Sequence, residues 1–411
     1  MRMDKIPGRN SIMAILSITL AGLLLLTACT PDTTPPTGKE KVVEFGIITP
    51  VTGPYAASEQ IGLSGRMDYT KYFNEEMAIP GVTIKARWSD SGGQIAPGIS
   101  AYRRFVERGI NIMCGSEVRT FDALKSSFEK DQVVFLTPSP VESLLYPVFP
   151  WIYSSAPTWG EQFAVLADHI MENWKEQRPP KLAFIIFDNP WGWEPAHTGM
   201  KYAESIGIET LPIEIVPVVP LDVTPNLLRL SARGADFVYI QNIQPGAMVI
   251  LKDAGRLGLI DKIQFCGCWA STGEAMLQAT GTLSEGYLLP RDMPTPDETE
   301  IPGVQMLVDI MMKYQGRIIN AAEYGSCKDT AIAYEAIRRA IENVGYENLD
   351  GQAIKKEIDS IKDLHIVTGV TITYTPEDHR GSDKAAIYEV INGKIVRVSD
   401  WLTAPMLMPT N

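Results

Sequence analysis

Residues 42–49 read V-V-E-F-G-I-I-T, a short apolar run that is typical of a buried strand. A helical pattern follows over residues 60–77, then a strand pattern over residues 82–88 and a second helical pattern over residues 95–108. Strands that alternate with amphipathic helices form a parallel sheet with helices on both faces. The sequence around residues 42–49 therefore predicts an α/β fold.

The same alternation continues in two successive series, which predicts two lobes. In the first series, strands at residues 111–114 and 133–137 enclose a helix at residues 121–130. The second series opens with a helix at residues 160–174. Its other elements are predicted strands at residues 182–187, 211–216, 237–240 and 262–266, and predicted helices at residues 194–206, 226–233 and 246–257.

The last third of the chain has helical patterns at residues 304–314, 329–343 and 353–361, followed by a hairpin at residues 385–397. The hairpin turns at Asn392-Gly393, a dipeptide that favours a tight turn. A helical stretch followed by an isolated hairpin indicates that the chain crosses again between the lobes and does not build a third one.

The amino terminus has the pattern of a bacterial lipoprotein signal. Three basic residues within the first nine precede an uncharged apolar run at residues 11–26, and small residues lead to Cys29 in a segment that resembles a lipobox. We predict a signal peptide at residues 1–28, with lipid attached to Cys29. The alternative is a transmembrane helix, because about 18 apolar residues are near the lower limit for spanning a bilayer. A cysteine directly after a small-residue cleavage site favours the signal.

Residues 29–40 are predicted to be a flexible tether, because the proline- and threonine-rich run T-P-D-T-T-P-P-T-G-K at residues 30–39 has nothing to bury. No later segment is a long uncharged apolar run. We therefore expect the rest of the chain to be soluble and long enough for two hydrophobic cores.

The composition argues against several classes of function. A net charge of −12 with dispersed acidic residues disfavours nucleic acid as a partner. The four histidines lack a ligand spacing, and Cys266-Gly267-Cys268 lacks the second ligand pair of a zinc site, so we expect no metal and no cofactor. The sequence has no nucleophile elbow, phosphate-binding loop or dinucleotide fingerprint, so we do not expect an enzyme. The pairing of Cys114, Cys266, Cys268 and Cys327 stays open.

Residues 45–57, F-G-I-I-T-P-V-T-G-P-Y-A-A, resemble the opening of type I periplasmic binding proteins of the leucine/isoleucine/valine-binding group, in which a strand runs into a T-G-P loop at the cleft. Further segments resemble the family's in the same order and spacing. They are residues 89–91 (S-D-S), 135–139 (F-L-T-P-S), 153–160 (Y-S-S-A-P-T-W-G), 185–192 (I-I-F-D-N-P-W-G) and 235–239 (A-D-F-V-Y).

The resemblance implies two Rossmann-like lobes joined by three crossovers, with a small molecule held in the cleft at the carboxyl ends of the strands. It also implies delivery of that molecule to an ABC transporter permease, by an extracytoplasmic protein held at a bacterial membrane through Cys29. The implied lobes are residues 41–158 with 288–368, and residues 159–287 with 369–405. A ligand-sensing receptor that works through a partner protein is the alternative. The chain ends at Asn411 with no signalling helix behind the module, which favours transport.

In relatives that bind amino acids, small hydroxyl residues and backbone amides after two strands of the first lobe hold the ligand's carboxylate. The corresponding loops of this sequence make Ser116, Arg119, Thr120 and Ser139 the candidates for an anion site. The Arg119 guanidinium could donate two hydrogen bonds to a carboxylate, or it could be a solvated side chain at a helix start.

The positions that bind the ammonium in those relatives differ here. Trp269 aligns with an acidic residue, Val141 with a hydroxyl residue, and Trp159 with the crossover aspartate. Burial of an ammonium without a carboxylate costs several kcal/mol. The sequence instead predicts a flat aromatic or apolar carboxylate stacked between rings, or a quaternary cation in an aromatic cage, although each ring could also be core. The remaining candidate ligand-binding residues are Tyr55, Ser58, Trp191, Trp193 and Tyr324.

Overall fold

The computed structural model describes residues 40–138 and 140–408. The predicted signal peptide, the lipidation site Cys29, residues 29–39 of the tether and Ser139 lie outside the described residues. None of the described helices combines the length and the apolar character needed to cross a membrane.

The first sheet is parallel and confirms the strands predicted from residue 42 onward. The first strand lies inside this sheet between two neighbours, which agrees with the complete burial of its residues Phe45, Ile47 and Ile48. The strands are β1 (Lys41–Thr49), β2 (Val82–Asp90), β3 (Ile112–Gly115), β4 (Val134–Thr137) and β5 (Ile152–Ser154), in the order β2-β1-β3-β4-β5. The helices between them are α1 (Ala56–Glu76), α2 (Ile95–Glu107), α3 (Val118–Asp131) and α4 (Glu142–Leu145).

The second sheet is built by the second series. After α5 (Trp159–Asn173), its strands are β6 (Lys181–Ile186), β7 (Glu209–Thr210), β8 (Glu214–Ile215), β9 (Phe237–Gln241), β10 (Gln264–Gly267) and β11 (Leu288–Arg291). The helices are α6 (Pro190–Glu194), a π-helical turn at Pro195–Gly199, α7 (Met200–Ser205), α8 (Thr224–Ala232), α9 (Gln244–Arg256) and α10 (Glu274–Thr280).

The prediction of one strand at residues 211–216 is wrong. Within that segment only Glu214–Ile215 is a strand, β8, and β7 lies just before it at Glu209–Thr210. The two strands pair separately with the two ends of β6. Pro212 lies between them, and because proline has no backbone N–H it cannot continue the ladder of hydrogen bonds.

The last third of the chain contributes to both sheets, which confirms the predicted crossing. The helices α11 (Val304–Gln315), α12 (Ala321–Tyr324), α13 (Cys327–Val344) and α14 (Gly351–Asp359) pack on elements of the first sheet, chiefly α1, β3 and β4. A small sheet of β12 (Leu364–His365) and β13 (Thr371–Ile372) follows. The strands β14 (Lys384–Ile391), β15 (Lys394–Arg397) and β16 (Leu402–Thr403) then join the second sheet, whose order is β15-β14-β11-β10-β9-β6-β7, with β8 on β6 and β16 on β14.

We call each sheet with its packed helices a lobe, and the lobe boundaries given above remain a proposal. The boundary at 287/288 must be changed, because it would place β11 in the first lobe. The strand β11 pairs with β10 and β14 of the second sheet. The proposed crossing therefore lies after Arg291. The four cysteines within the described residues are buried free thiols.

Candidate functional site

A cavity lies between the two lobes, where strands of both sheets end. Its empty volume is about 750 Å³, which includes solvent at its open mouth. The first lobe contributes the loop after β1 with the start of α1, the start of α3, and α12. The second lobe contributes the start of α5 and the loops after β6, β9 and β10.

An aromatic wall forms the second lobe's side of this cavity. The ring centroid of Trp159 lies 5.1 Å from that of Trp269 and 5.2 Å from that of Trp191. Phe187 extends the wall at 5.1 Å from Trp191, and Tyr55 of the first lobe faces Phe187 at 6.4 Å. Three of the predicted tryptophans, together with Tyr55, thus line one cavity.

The backbone at the start of α6 fixes Trp191. The Asn189 side chain accepts a hydrogen bond from the Gly192 N–H at 2.8 Å and caps the helix, while Gln241 Nε2 donates to the Trp191 carbonyl at 3.1 Å. A Cβ on Gly192 would lie 2.0 Å from the Phe187 carbonyl oxygen, so this turn requires glycine. Asn189 Nδ2 also donates to the Tyr55 hydroxyl at 3.3 Å, which links the two lobes across the cleft.

Glu117 occupies the place where the sequence predicted a ligand's carboxylate. Its side chain caps α3 by accepting the Thr120 N–H at 2.7 Å. Arg119 Nε donates to Glu117 Oε1 at 3.1 Å, and Arg119 Nη2 donates to the Gly93 carbonyl at 2.7 Å. The helix N-terminus and the guanidinium are therefore already engaged by a carboxylate of the protein itself.

Two further carboxylates line the cavity, and the sequence reasoning missed both. Glu59 accepts a hydrogen bond from the Thr49 hydroxyl, and Glu323 is 7% exposed. Burial and the negative charge of Glu59 raise the pKa of Glu323 to about 8, against a smaller opposing effect of the Ser58 hydroxyl. Glu59 stands directly after the predicted Ser58 and could have been proposed. No sequence pattern brings Glu323 to the same cavity.

Two polar atoms in the lining have no hydrogen-bond partner among the described residues. They are Ser116 Oγ and Trp269 Nε1, and both are buried. An unpaired buried donor costs about 1–3 kcal/mol, so both atoms fit a site that a polar ligand completes.

The remaining predicted residues lie elsewhere. Thr120 is buried against Gly98 of α2 and does not line the cavity. Tyr324 is fully buried and its hydroxyl donates to Asp68, so its position is structural. Val141 and Trp193 line a neighbouring cavity, where the Trp193 ring stacks on His197 with centroids 5.2 Å apart. None of these four residues lines the ligand cavity, where the sequence had placed them.

Three more buried glutamates meet where the lobes join. Glu142 follows β4 in the first lobe, whereas Glu161 and Glu194 belong to α5 and α6 of the second. The Glu142 N–H donates to Glu194 Oε1 at 3.3 Å, and the Thr198 hydroxyl donates to Glu142. Burial raises the pKa of Glu142 to about 7 and raises that of Glu194 well above its usual value, with the charges of Glu142 and Glu161 adding repulsion at Glu194. Glu161 is compensated by Arg380, whose Nη1 lies 3.3 Å from Glu161 Oε2.

Comparison with known proteins agrees with this architecture. A family model for periplasmic binding proteins matches residues 42–394. The Leu/Ile/Val-binding protein homolog 3 of Brucella melitensis is 24% identical over 363 residues, which cover 86% of this chain and 93% of the relative.

Solved structures give the same result. A branched chain amino acid ABC transporter protein from Thermus thermophilus with bound valine superimposes with a TM-score of 0.81 at 25% identity, over 89% of this chain and 97% of the other. A fatty acid ABC transporter substrate-binding protein from Thermomonospora curvata gives a TM-score of 0.78 at 18% identity, over 90% and 94%.

The chain belongs to the periplasmic binding protein family, and its fold is the two-lobed α/β fold of the type I members. It is an extracytoplasmic solute-binding protein of the ABC transporter type and not an enzyme. The ligands named for these two structural neighbours, valine and fatty acid, differ in size and polarity. The shared fold therefore leaves the choice of ligand to the residues of the cavity.

Proposed function

We propose that this protein captures a small organic molecule in the cavity between its lobes and delivers it to an ABC transporter permease. The observation that carries the proposal is the cavity itself, lined by both lobes and containing the unpartnered Trp269 Nε1 and Ser116 Oγ. A ligand that contacts both lobes favours the state in which they meet, because it gains contacts there that the open state lacks. The permease then distinguishes the loaded from the empty protein by shape.

The proposed receptor is a lipoprotein held at the membrane through Cys29. The support is the charged start, apolar run and small residues before Cys29. In cells grown with labelled palmitate, we expect the wild-type protein to carry the label. Cys29→Ser should abolish this labelling, because the Cys29 thiol is the acceptor. Cys327→Ser is the control, since that thiol is buried in the fold. Equal labelling of wild type and Cys29→Ser would refute the anchor.

Binding is tested by a thermal-shift screen of the full chain against amino acids, aromatic acids, fatty acids, amides and organic amines. A ligand that binds only the folded state stabilises it by mass action, about 2.7 kcal/mol at a hundred times its Kd. We expect at least one class to raise the Tm. If no class does so at millimolar concentration, the proposed function is wrong.

With the best compound from that screen, Trp191→Ala is expected to weaken binding by about 1–3 kcal/mol, or roughly five- to 150-fold in Kd. The reason is that the Trp191 indole is part of the cavity wall. Trp193→Ala is the matched control, because its ring faces the neighbouring cavity and should leave Kd within about twofold. Isothermal titration calorimetry gives both values. Equal effects of the two substitutions would contradict the assignment of the wall.

A further inference from the structure

We propose that the ligand is a small organic cation without a carboxylate, whose positive charge lies between Glu59 and Glu323 on the first lobe and the indole wall on the second. This inference rests on the proposed function as a solute receptor. It replaces the aromatic or apolar carboxylate that the sequence favoured with the cation that the sequence left as an alternative.

The first argument is the charge of the lining. Among the described residues that line the cavity, three are glutamates and one is a cation, Arg119. Arg119 is paired with Glu117, so Glu59 and Glu323 face the cavity without a lining cation. The negative charge of Glu59 would repel an anionic ligand, whereas a cation would be attracted to Glu59 and would favour the ionised form of Glu323.

The second argument is that Glu117 engages the helix start where an anion was predicted to bind. Among the described residues of the first lobe, a ligand's carboxylate would be bound by the N–H groups at the start of α3, the Arg119 guanidinium or the Ser116 hydroxyl. Glu117 takes the Thr120 N–H at that helix start and also accepts a hydrogen bond from Arg119. A second carboxylate there would lie beside the first, in a partly buried site where like charges repel strongly.

The third argument is the composition of the opposite wall. Trp159, Trp191 and Trp269 present three indoles to the cavity, and tryptophan is the aromatic side chain that attracts cations most strongly. Trp269 is 8% exposed, and its Nε1 has no partner among the described residues. That donor fits a hydroxyl or carbonyl oxygen carried by the same ligand.

The surroundings of Glu323 make its ionisation depend on the ligand. The charged or titratable groups around it are Glu59 and Arg66 of α1 and Cys268 beside β10. Arg66 is already paired with Asp329, so the lining offers Glu323 little compensation and its carboxyl is largely protonated at pH 7. A bound cation supplies the missing charge, and Glu323 then releases its proton.

The test uses choline, tetramethylammonium and benzyltrimethylammonium as cations, benzoate and phenylacetate as anions, and leucine as a zwitterion. The neutral compound 3,3-dimethyl-1-butanol matches choline in shape without its charge. Calorimetry on the full chain, stripped of carried-over ligand, is expected to show a cation as the tightest binder. For choline we expect at least tenfold tighter binding than for its neutral analogue. Below pH 8 the affinity should rise up to tenfold per pH unit and then level off.

Glu59→Gln and Glu323→Gln are each expected to weaken cation binding at least tenfold at pH 8.5. Glu323→Gln should also abolish the pH dependence and, without ligand, raise the Tm at that pH because it removes a buried charge. Glu107→Gln, on the exposed surface of α2, is the control and should change neither quantity.

The proposal is overturned if leucine or an anion is the tightest binder, or if cation affinity is unchanged in both cavity variants. Either result leaves the receptor function intact. If no compound of any class in the thermal-shift screen binds, the receptor function fails, and this inference fails with it.

Discussion

Replacing Asp329 by Ala is expected to destabilise the folded protein by about 3–5 kcal/mol, because it leaves the Arg66 guanidinium without a counter-ion in the core. Both side chains are fully buried, with Arg66 Nη2 3.2 Å from Asp329 Oδ2. Asp329 also accepts the Thr330 N–H at 2.7 Å. Arg66 Nη1 has no hydrogen-bond partner among the described residues.

Urea unfolding measures this effect, and Glu342→Ala on the same helix α13 is the matched control. Glu342 forms an exposed pair with Arg338 at 2.6 Å, which should be worth less than about 1 kcal/mol. The double substitution Arg66→Met with Asp329→Leu should be more stable than Asp329→Ala alone, because no buried charge remains. Similar losses for Asp329→Ala and Glu342→Ala would show that the core pair has no special role.

Stability is expected to fall as the pH rises from about 5 to 8, through the glutamates that meet where the lobes join. The folded protein raises the pKa of Glu142 from 4.5 to about 7, since burial disfavours the charged form. An acid with a raised pKa binds its proton more tightly in the folded than in the unfolded state. Its contribution to stability is therefore complete below pH 4.5 and lost by about pH 7.

Glu194 adds to this loss, because burial and the charges of Glu142 and Glu161 raise its pKa well above its usual value. Lys201 acts in the opposite direction on Glu142, and Arg380 does so on Glu161. Urea unfolding at several pH values between 5 and 8 should give a smaller loss for the double variant Glu142→Gln with Glu194→Gln than for wild type. The contribution of Glu323 to stability also falls with rising pH, but it does so equally in wild type and in the double variant. The difference between the two proteins therefore reports on Glu142 and Glu194 alone. Parallel curves would show that these glutamates do not set the pH dependence.

The order of strands and helices was predictable because buried apolar residues recur along the sequence with the period of the strand or helix that buries them. The apolar run at residues 42–49 forms the interior strand β1. The helical stretch with a late hairpin forms α11–α14 on one sheet and β14–β15 in the other. The short strand β11 was missed, since four residues give no clear period.

The aromatic residues of the site were predictable only in part. Trp191 and Trp193 looked equivalent in the sequence, but the helical pitch turns side chains two positions apart to nearly opposite faces. Trp191 consequently lines the ligand cavity and Trp193 its neighbour.

The sequence alone determined a two-lobed α/β fold and a ring-rich set of loops at the strand ends, because both depend on local patterns of residues. Only the tertiary structure decided the charge of the cavity. Glu59 and Glu323 come from distant parts of the chain and meet because α12 packs on α1. Glu117 takes the helix start and Arg119, which the sequence had offered to a ligand. The contacts of Glu117 are local, because its partners lie two and three positions along the chain. The meeting of Glu59 with Glu323 depends on how distant helices pack, so the order of residues does not show it.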